Sequence, residues 1–327
     1  MLKIGLIGCG TMGSTHSKAY KSIANAKLTQ VFDIRIEKSK VVADEHGANI
    51  CKNFEEMLKQ EIDILDICLP TYLHAEYAIS AMNAGKNVFC EKPMAISTET
   101  ASQMIKVANQ NNVKLSIGHV LRFFPQYDNA IKLIKQNKVG VPKLIRTIRN
   151  QALPEWSWEN WYLDYEKSGG PILDLIIHDI DWCINNFGDV DYVYCQTIKE
   201  RTQKDDHTQA LLKLKNGMIC YCEGSWALPA GSPFRMAFEI IGTEGQIEYD
   251  NTKNFANKIQ KNTGNYSEIN QTVFSMNEEP YCKELQLFIN SVVNHTQPVV
   301  KPVEALKSLE VAFACIKSAK TGKPVFL

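Results

Sequence analysis

Short apolar runs alternate with amphipathic ones through the first third of the chain. Leu2, Ile4, Leu6 and Ile7 read as a strand, and a helix follows to about residue 24. The pattern then predicts a strand over 28–33, a helix around 37–46, a short strand near 49–51, a helix over 54–59 and a strand over 63–69. A helix over 75–84 stops at Gly85, a residue suited to the left-handed turn that ends helices. A strand over 88–90, a helix opened by Ser97-Thr98-Glu99 and a strand over 114–118 complete the series. Ser97 can cap its helix, and Glu99 suits the positive end of the dipole. Such alternation with short connections specifies a parallel, doubly wound sheet.

From residue 121 the pattern changes. Residues 126–136 and 171–187 read as helices, the second opened by Gly169-Gly170 with Pro171 in its first turn. Between 190 and 250 the period is two, with Ala210, Leu212 and Leu214 on one face and Lys213 and Lys215 on the other. Asn216-Gly217 is a hairpin turn between 210–215 and 218–226, and Gly242-Thr243-Glu244-Gly245 is a second turn. Residues 251–279, polar and rich in Asn, read as a long mobile connection. A last helix starts at Pro302, carries Val303, Leu306, Leu309, Phe313 and Ile316 along one side, and ends at Gly322 before a short strand. The fold class expected is α/β: an N-terminal Rossmann doubly wound parallel sheet plus a C-terminal α+β domain with a largely antiparallel open sheet.

At 327 residues the chain exceeds what one core organises, which agrees with two domains. The boundaries expected are 1–120 and 121–327, with the last ~30 residues packing back on the first domain. Lys and Arg together number 36, as do Asp and Glu, so no excess of basic charge points to nucleic acid or an anionic membrane. No apolar run approaches the ~20 residues of a membrane span. The N-terminus enters a strand with no charged-then-apolar leader, so a cytoplasmic protein is expected. Of the 10 cysteines, Cys68, Cys90, Cys183 and Cys315 lie in apolar segments, and Cys220 and Cys222 share a strand face without forming a C-x-x-C pair. All read as reduced and structural, although Cys9, inside a glycine turn, is expected to be exposed enough to react. The second sheet has helices enough for one face only, so a homo-oligomer, dimer or tetramer, is expected to cover the other.

Candidate chemistry begins at Gly8-Cys9-Gly10-Thr11-Met12-Gly13, directly after the first strand. Gly8 permits the tight turn, Gly10 lets a pyrophosphate approach the backbone, and Gly13 lets the next helix pack close to the sheet. Asp33 closes the second strand, where a carboxylate accepts hydrogen bonds from an adenosine ribose. That carboxylate favours NAD, since it would repel the 2′-phosphate of NADP; Arg35, which can swing toward such a phosphate, keeps NADP open. Glu91-Lys92-Pro93 ends the strand over 88–90, on the side of the sheet where ligands sit in open α/β folds. The helix after Gly169-Gly170 carries Asp174, His178 and Asp181 at spacings of four and three, on one face. An internal Asp–His hydrogen bond is the structural alternative, and Asp181 can serve as a helix-stabilising partner. A carboxylate–His–carboxylate metal site lacks a second histidine, so no metal is expected. His119 and Arg122 follow the last parallel strand and are candidate substrate contacts. So is Trp161, with Trp158 and Trp156 before it, because an aromatic face suits the C–H face of a sugar; three Trp in a loop serve equally as packing anchors. His207 reads as a solvated loop residue, and His16, His46 and His295 as surface or helix-end residues.

Together these motifs resemble the glucose–fructose oxidoreductase / inositol dehydrogenase / rhizopine-catabolism (Gfo/Idh/MocA) family over nearly the whole chain. Leu69-Pro70-Thr71 with His74, Ala84-Gly85-Lys86 and Gly242-Thr243-Glu244-Gly245 match the same pattern. The resemblance implies an NAD(P)-dependent oxidoreductase acting on a secondary hydroxyl of a sugar, cyclitol or sugar derivative. The first domain would bind NAD(P), and the second would hold substrate and form the oligomer. By position it implies Lys92, Asp174 and His178 as the catalytic set. Around the cofactor it implies Gly8, Gly10, Thr11, Met12, Gly13, Asp33, Arg35, Leu69, Pro70, Thr71, His74, Glu91 and Lys92. Imidazole suits removal of the hydroxyl proton, and a lysine cation suits the developing alkoxide. Asp174 would hold a neighbouring hydroxyl or orient Lys92 or His178. Ile176 departs from the pattern, standing where many members have Gly, and is expected to reshape the packing below the site. The run Ile177-His178-Asp179-Ile180-Asp181 resembles the inositol 2-dehydrogenase branch. A UDP-sugar 3-dehydrogenase and a non-catalytic dinucleotide sensor are the alternatives, the sensor disfavoured by the presence of both Lys92 and His178.

Overall fold

The computed structural model describes residues 1–155, 157–199, 204–253, 257–261, 266–269 and 279–327. The chain divides into two compact units, Met1–Val120 with Glu278–Leu306, and Leu121–Asn277 with Lys307–Leu327. The segment that joins the first unit is thus an internal one, and the chain's last residues belong to the second.

The first unit is a six-stranded parallel sheet. Its strands are β1 (Leu2–Ile7), β2 (Ala26–Phe32), β3 (Asn49–Ile50), β4 (Ile64–Ile67), β5 (Asn87–Glu91) and β6 (Leu115–Gly118), ordered β3-β2-β1-β4-β5-β6. Strand order reverses between β1 and β4, which makes that crevice the switch point where ligands of such sheets bind. Register aligns the carboxyl ends there: Ile7 pairs with Phe32 on one side and Ile67 on the other. Five helices run between the strands: α1 (Thr11–Tyr20), α2 (Ile36–His46), α3 (Phe54–Lys59), α4 (His74–Asn83) and α5 (Thr98–Gln110). Ser97 caps α5 by accepting from the Thr100 N–H at 3.1 Å, and Gly85 takes φ 75° just past α4.

The second unit holds α6 (Pro125–Lys135), β7 (Pro142–Ala152), a short α7 (Tyr165–Ser168), a π-helical turn over Ile172–Ile176 and α8 (Ile177–Phe187). Then follow β8 (Val190–Lys199), β9 (Asp205–Leu214), β10 (Ile219–Leu228), β11 (Arg235–Gly242), β12 (Gly245–Asp250), β13 (Asn257–Lys261) and β14 (Tyr266–Ile269). After α9 (Pro280–Val293) and α10 (Pro302–Thr321), β15 (Val325–Phe326) closes a nine-stranded sheet ordered β14-β13-β12-β11-β7-β10-β9-β8-β15. Every pairing is antiparallel except β7 with β10. Among the described residues, no helix is long and apolar enough to cross a membrane.

Several expectations are corrected. Part of the stretch 251–279 is sheet, because β13 pairs with β12 and β14 with β13; residues 251–253 form a turn, and 254–256, 262–265 and 270–278 lie outside the described residues. Strand β7 and helix α9 are additions. The first is a mixed run of Lys, Arg, Ile and Thr whose alternation shows only once one face is covered. The second buries Leu285, Phe288 and Ile289, one helical stripe, in a core with Leu6, Leu28 and Phe89. Helix α10 turns mostly small residues inward: Ala305, Ser308, Ala312 and Cys315 are buried beside Leu309 of the expected stripe, whereas Val303 is 50% exposed. Small side chains allow close approach, which outweighs the larger apolar stripe. His207 lies in β9 rather than in a loop.

Candidate functional site

The glycine turn follows β1 at the switch point. Gly8 has φ 87°, and a Cβ there would stand 2.4 Å from the Cys68 carbonyl oxygen; a Cβ on Gly13 would stand 1.9 Å from the Gly8 carbonyl oxygen. Both positions are therefore closed to any side chain. Gly10 differs: nothing lies nearer to its Cβ position than Arg35 Nη2 at 3.7 Å. A Cβ on Gly10 would thus make only ordinary contact, so the backbone at the head of α1 can be approached closely there, and Thr11, Met12 and Gly13 begin that helix. Cys9 is inaccessible, 4% exposed, and burial followed by the nearby Asp33 charge pushes its thiol up to about 12. It is a packing residue, not the reactive thiol expected. All 10 cysteines are unpaired by disulfides.

Asp33 is buried at the end of β2. Its Oδ2 accepts the Cys9 N–H at 2.8 Å and its Oδ1 the Arg35 N–H at 2.8 Å, while Arg35 Nε and Nη2 close on the same carboxylate at 3.1 and 3.2 Å. The acid is held beside the turn by these four contacts, and the guanidinium offsets its charge. After β4, Leu69, Pro70 and Thr71 lead into α4, and His74 is buried beneath them. Its ring reaches the Leu69 and Pro93 carbonyls, each at 2.8 Å, so it ties the β4 loop to the Lys92 loop; burial lowers its pKa against the pull of those carbonyls. Glu91 is buried at the end of β5, and Lys92 follows, joined to Pro93 by a cis peptide bond. His119, just past β6, is 1% exposed.

In the second unit, Gly169 and Gly170 take φ 71° and 65°, turning the chain into the π-helical turn and then α8. Single π turns of this kind recur at functional sites. Every residue from Pro171 to Cys183 is buried except Asp174 and His178. The inward acids are paired: Asp179 meets Arg149 at 2.8 and 3.2 Å, and Asp181 meets Arg122 at 2.7 Å twice and accepts from Ser308 at 2.8 Å. Burial raises the Asp179 pKa, and Arg149 opposes it. Arg122 and Asp181 thus hold one another, with the guanidinium 7% exposed and the carboxylate fully buried. Ile176 is fully buried, and its Cγ2 would stand 2.5 Å from a Cβ on Gly224 in β10. The glycine missing from the helix is matched by one in the facing strand, so the bulk is absorbed there. Trp161 stacks on Tyr162 with centroids 4.1 Å apart, both half-buried. Trp156 lies outside the described residues.

One residue set aside in the sequence is central to the first unit. His16 is not at the surface: it is 0% exposed and meets Asp66 and Glu91. Its position three residues past Gly13, on the face α1 turns to the sheet, was the available signal.

Residues 2–119 match the model described as oxidoreductase family, NAD-binding Rossmann fold, and residues 127–248 match the GFO/IDH/MocA C-terminal domain. The chain is 27% identical over 338 residues to myo-inositol 2-dehydrogenase of Thermotoga maritima, covering 100% of this chain and 98% of that one. It is 28% identical over 337 residues to scyllo-inositol 2-dehydrogenase (NAD(+)) of Bacillus subtilis, covering 100% and 96%. Among solved structures, myo-inositol 2-dehydrogenase from Lactobacillus plantarum superposes with a TM-score of 0.85 at 26% identity, covering 100% of this chain and 99% of that one.

Proposed function

Because the chain belongs to the GFO/IDH/MocA family of NAD-binding oxidoreductases, we propose that it oxidises a secondary hydroxyl of a cyclitol or sugar, with an inositol as the first candidate. The observation that carries this reading is the stretch 171–183, spanning the π-helical turn and the first part of α8, in which every residue but Asp174 and His178 is buried. A buried stretch that keeps one carboxylate and one imidazole partly accessible retains groups able to meet a polyhydroxylated molecule and take its proton.

Bound NAD supplies the hydride acceptor. Gly10, the first turn of α1 and Asp33 would hold its pyrophosphate and ribose, and Leu69, Pro70, Thr71 and His74 would border it. His178 takes the hydroxyl proton as the carbinol carbon loses hydride, the general-base role an imidazole can fill. Lys92 stabilises the negative charge that develops on that oxygen. Asp174 holds an adjacent hydroxyl and so sets which carbon faces the acceptor. The inositol assignment is supported by full-length relatives that are inositol dehydrogenases. The same residues would serve a UDP-sugar, but no observation favours that substrate. We propose a homo-oligomer as well. Along β7, Ile145, Thr147 and Arg149 are buried while Leu144, Arg146 and Ile148 are not, which leaves one sheet face for a second copy to cover.

The test is nicotinamide absorbance in protein given NAD or NADP across cyclitols, hexoses, sugar acids and UDP-sugars. Turnover of a cyclitol with NAD is expected. Tight NAD binding with no turnover across the panel would favour a dinucleotide sensor instead.

A further inference from the structure

His16 is sealed inside the first unit with charged neighbours on both sides. Its Nδ1 lies 2.9 and 3.1 Å from the two oxygens of Asp66, and its Nε2 lies 3.0 Å from Glu91 Oε1. Tyr20 donates to Asp66 Oδ2 at 2.9 Å, and Cys68 Sγ is 3.3 Å from Nδ1. The rings of Phe89 and Tyr281 flank the imidazole at 5.7 and 6.0 Å between centroids. The groups facing it are therefore Tyr20 from its own helix, Asp66 and Cys68 from the β4 edge, Glu91 and Phe89 from β5, and Tyr281 from α9. A carboxylate offers lone pairs only, so both ring nitrogens donate and the ring is an imidazolium. Burial opposes that charge, yet Asp66 and its hydrogen bond overcome it and hold the pKa well above 6.5.

The second oxygen of Glu91 accepts the Lys92 backbone N–H at 3.1 Å. Gly118 on the neighbouring strand makes space for this carboxylate, since a Cβ there would stand 3.0 Å from Glu91 Oε1. One relay thus runs from α1, through imidazolium and carboxylate, to the peptide of Lys92. His16, Asp66 and Cys68 also bring three ligand-type atoms within 4.8 Å of one another. Direct hydrogen bonds already join them, and burial, then Asp66, push the Cys68 thiol's pKa up.

We propose that His16 is a positioning residue for Lys92, fixing the Glu91 carboxylate and through it the lysine backbone from the same helix whose N-terminus receives the cofactor. This rests on the role given to Lys92 above. Placement matters here because a displacement of ~1 Å can cost about a hundredfold in rate.

Two variants separate positioning from packing. His16→Gln sets an amide N–H near the site of Nε2 and keeps a donor to Glu91. His16→Asn sets one near Nδ1 and keeps only the donor to Asp66. Turnover, substrate KM, NAD affinity and thermal stability are measured for both beside Lys92→Ala. The Asn variant is expected to lose kcat by about tenfold to a hundredfold with KM and NAD affinity little changed, and the Gln variant to retain most of it. Equal losses in the two variants that track their loss of stability would overturn the proposal. So would a fully active His16→Asn beside an inactive Lys92→Ala. A fully active Lys92→Ala would overturn the lysine reading and this inference with it. Should His16→Asn fail to fold, Glu91→Gln takes its place: its amide sets a donor against a donor, a similar fall in kcat is expected, and unchanged kcat would overturn the proposal.

Discussion

Two helices of this protein follow glycine-rich turns, each carries a histidine, and the two rings meet opposite surroundings. His16 on α1 is wholly buried between two carboxylates, whereas His178 on α8 is one of two accessible residues in an otherwise buried stretch. The turns differ in the same sense. Gly8 and Gly13 are closed by the protein's own carbonyls, and Gly10 alone among the three has room for a Cβ, which would meet only Arg35 at an ordinary contact distance. Helical spacing says which residues share a face. It does not say whether that face meets solvent or sheet, and that distinction divides a group available for chemistry from one that holds the machinery in place.

The contrast can be broken most forcefully at the inward acids of α8. Arg122→Ala leaves the Asp181 charge buried, and should cost about 3–5 kcal/mol in denaturant unfolding. A loss below about 1 kcal/mol would mean that Asp181 is not the buried charge described. Next come the glycines. Gly13→Ala should destabilise by about 1–3 kcal/mol, because its Cβ meets backbone, while Gly10→Ala should leave stability unchanged. The second variant should instead weaken NAD binding by about tenfold or more, measured by titration calorimetry. Parallel losses of stability in both would erase the difference between the closed and open positions.

Gly224→Ala presses on Ile176 and should cost about 1–2 kcal/mol. Combining it with Ile176→Ala should recover part of that loss, so that a double-mutant cycle gives a coupling of at least ~0.5 kcal/mol; additivity would deny the matched packing. The smallest effect near neutrality is on pH. The folded-state pKa of His16 is raised, so its contribution is full below 6.5 and declines as pH rises through the folded value. Glu91, held below 4.5 despite burial by His16, acts at the other end, losing its contribution as pH falls through its folded value. Unfolding midpoints across pH should show a fall on the alkaline side that His16→Gln abolishes.

Much of the first unit was legible in the sequence because each signal has a local steric cause. The glycine turn, the Ser97 cap, the stop at Gly85 and Asp33 at the end of β2 need only a few neighbouring residues to be read. What escaped depends on partners distant in the chain. His16 needed Asp66 and Glu91, Arg122 needed Asp181, and the burial of Ile176 needed Gly224. The β13–β14 edge escaped for a related reason: polar residues form strands there because β12 offers them a template. The candidate pair Asp174 and His178 was legible by spacing, but only burial separates it from Asp179 and Asp181 on the same helix.

The central claim is that the accessible imidazole on α8 does chemistry while the first unit binds the cofactor. The most direct test is His178→Ala, with NAD affinity and cyclitol turnover measured on the same preparation. The account predicts unchanged NAD affinity and a fall in kcat of about 10²–10⁴-fold. Turnover within about threefold of the parent protein would contradict it, since a base contributes far more than that.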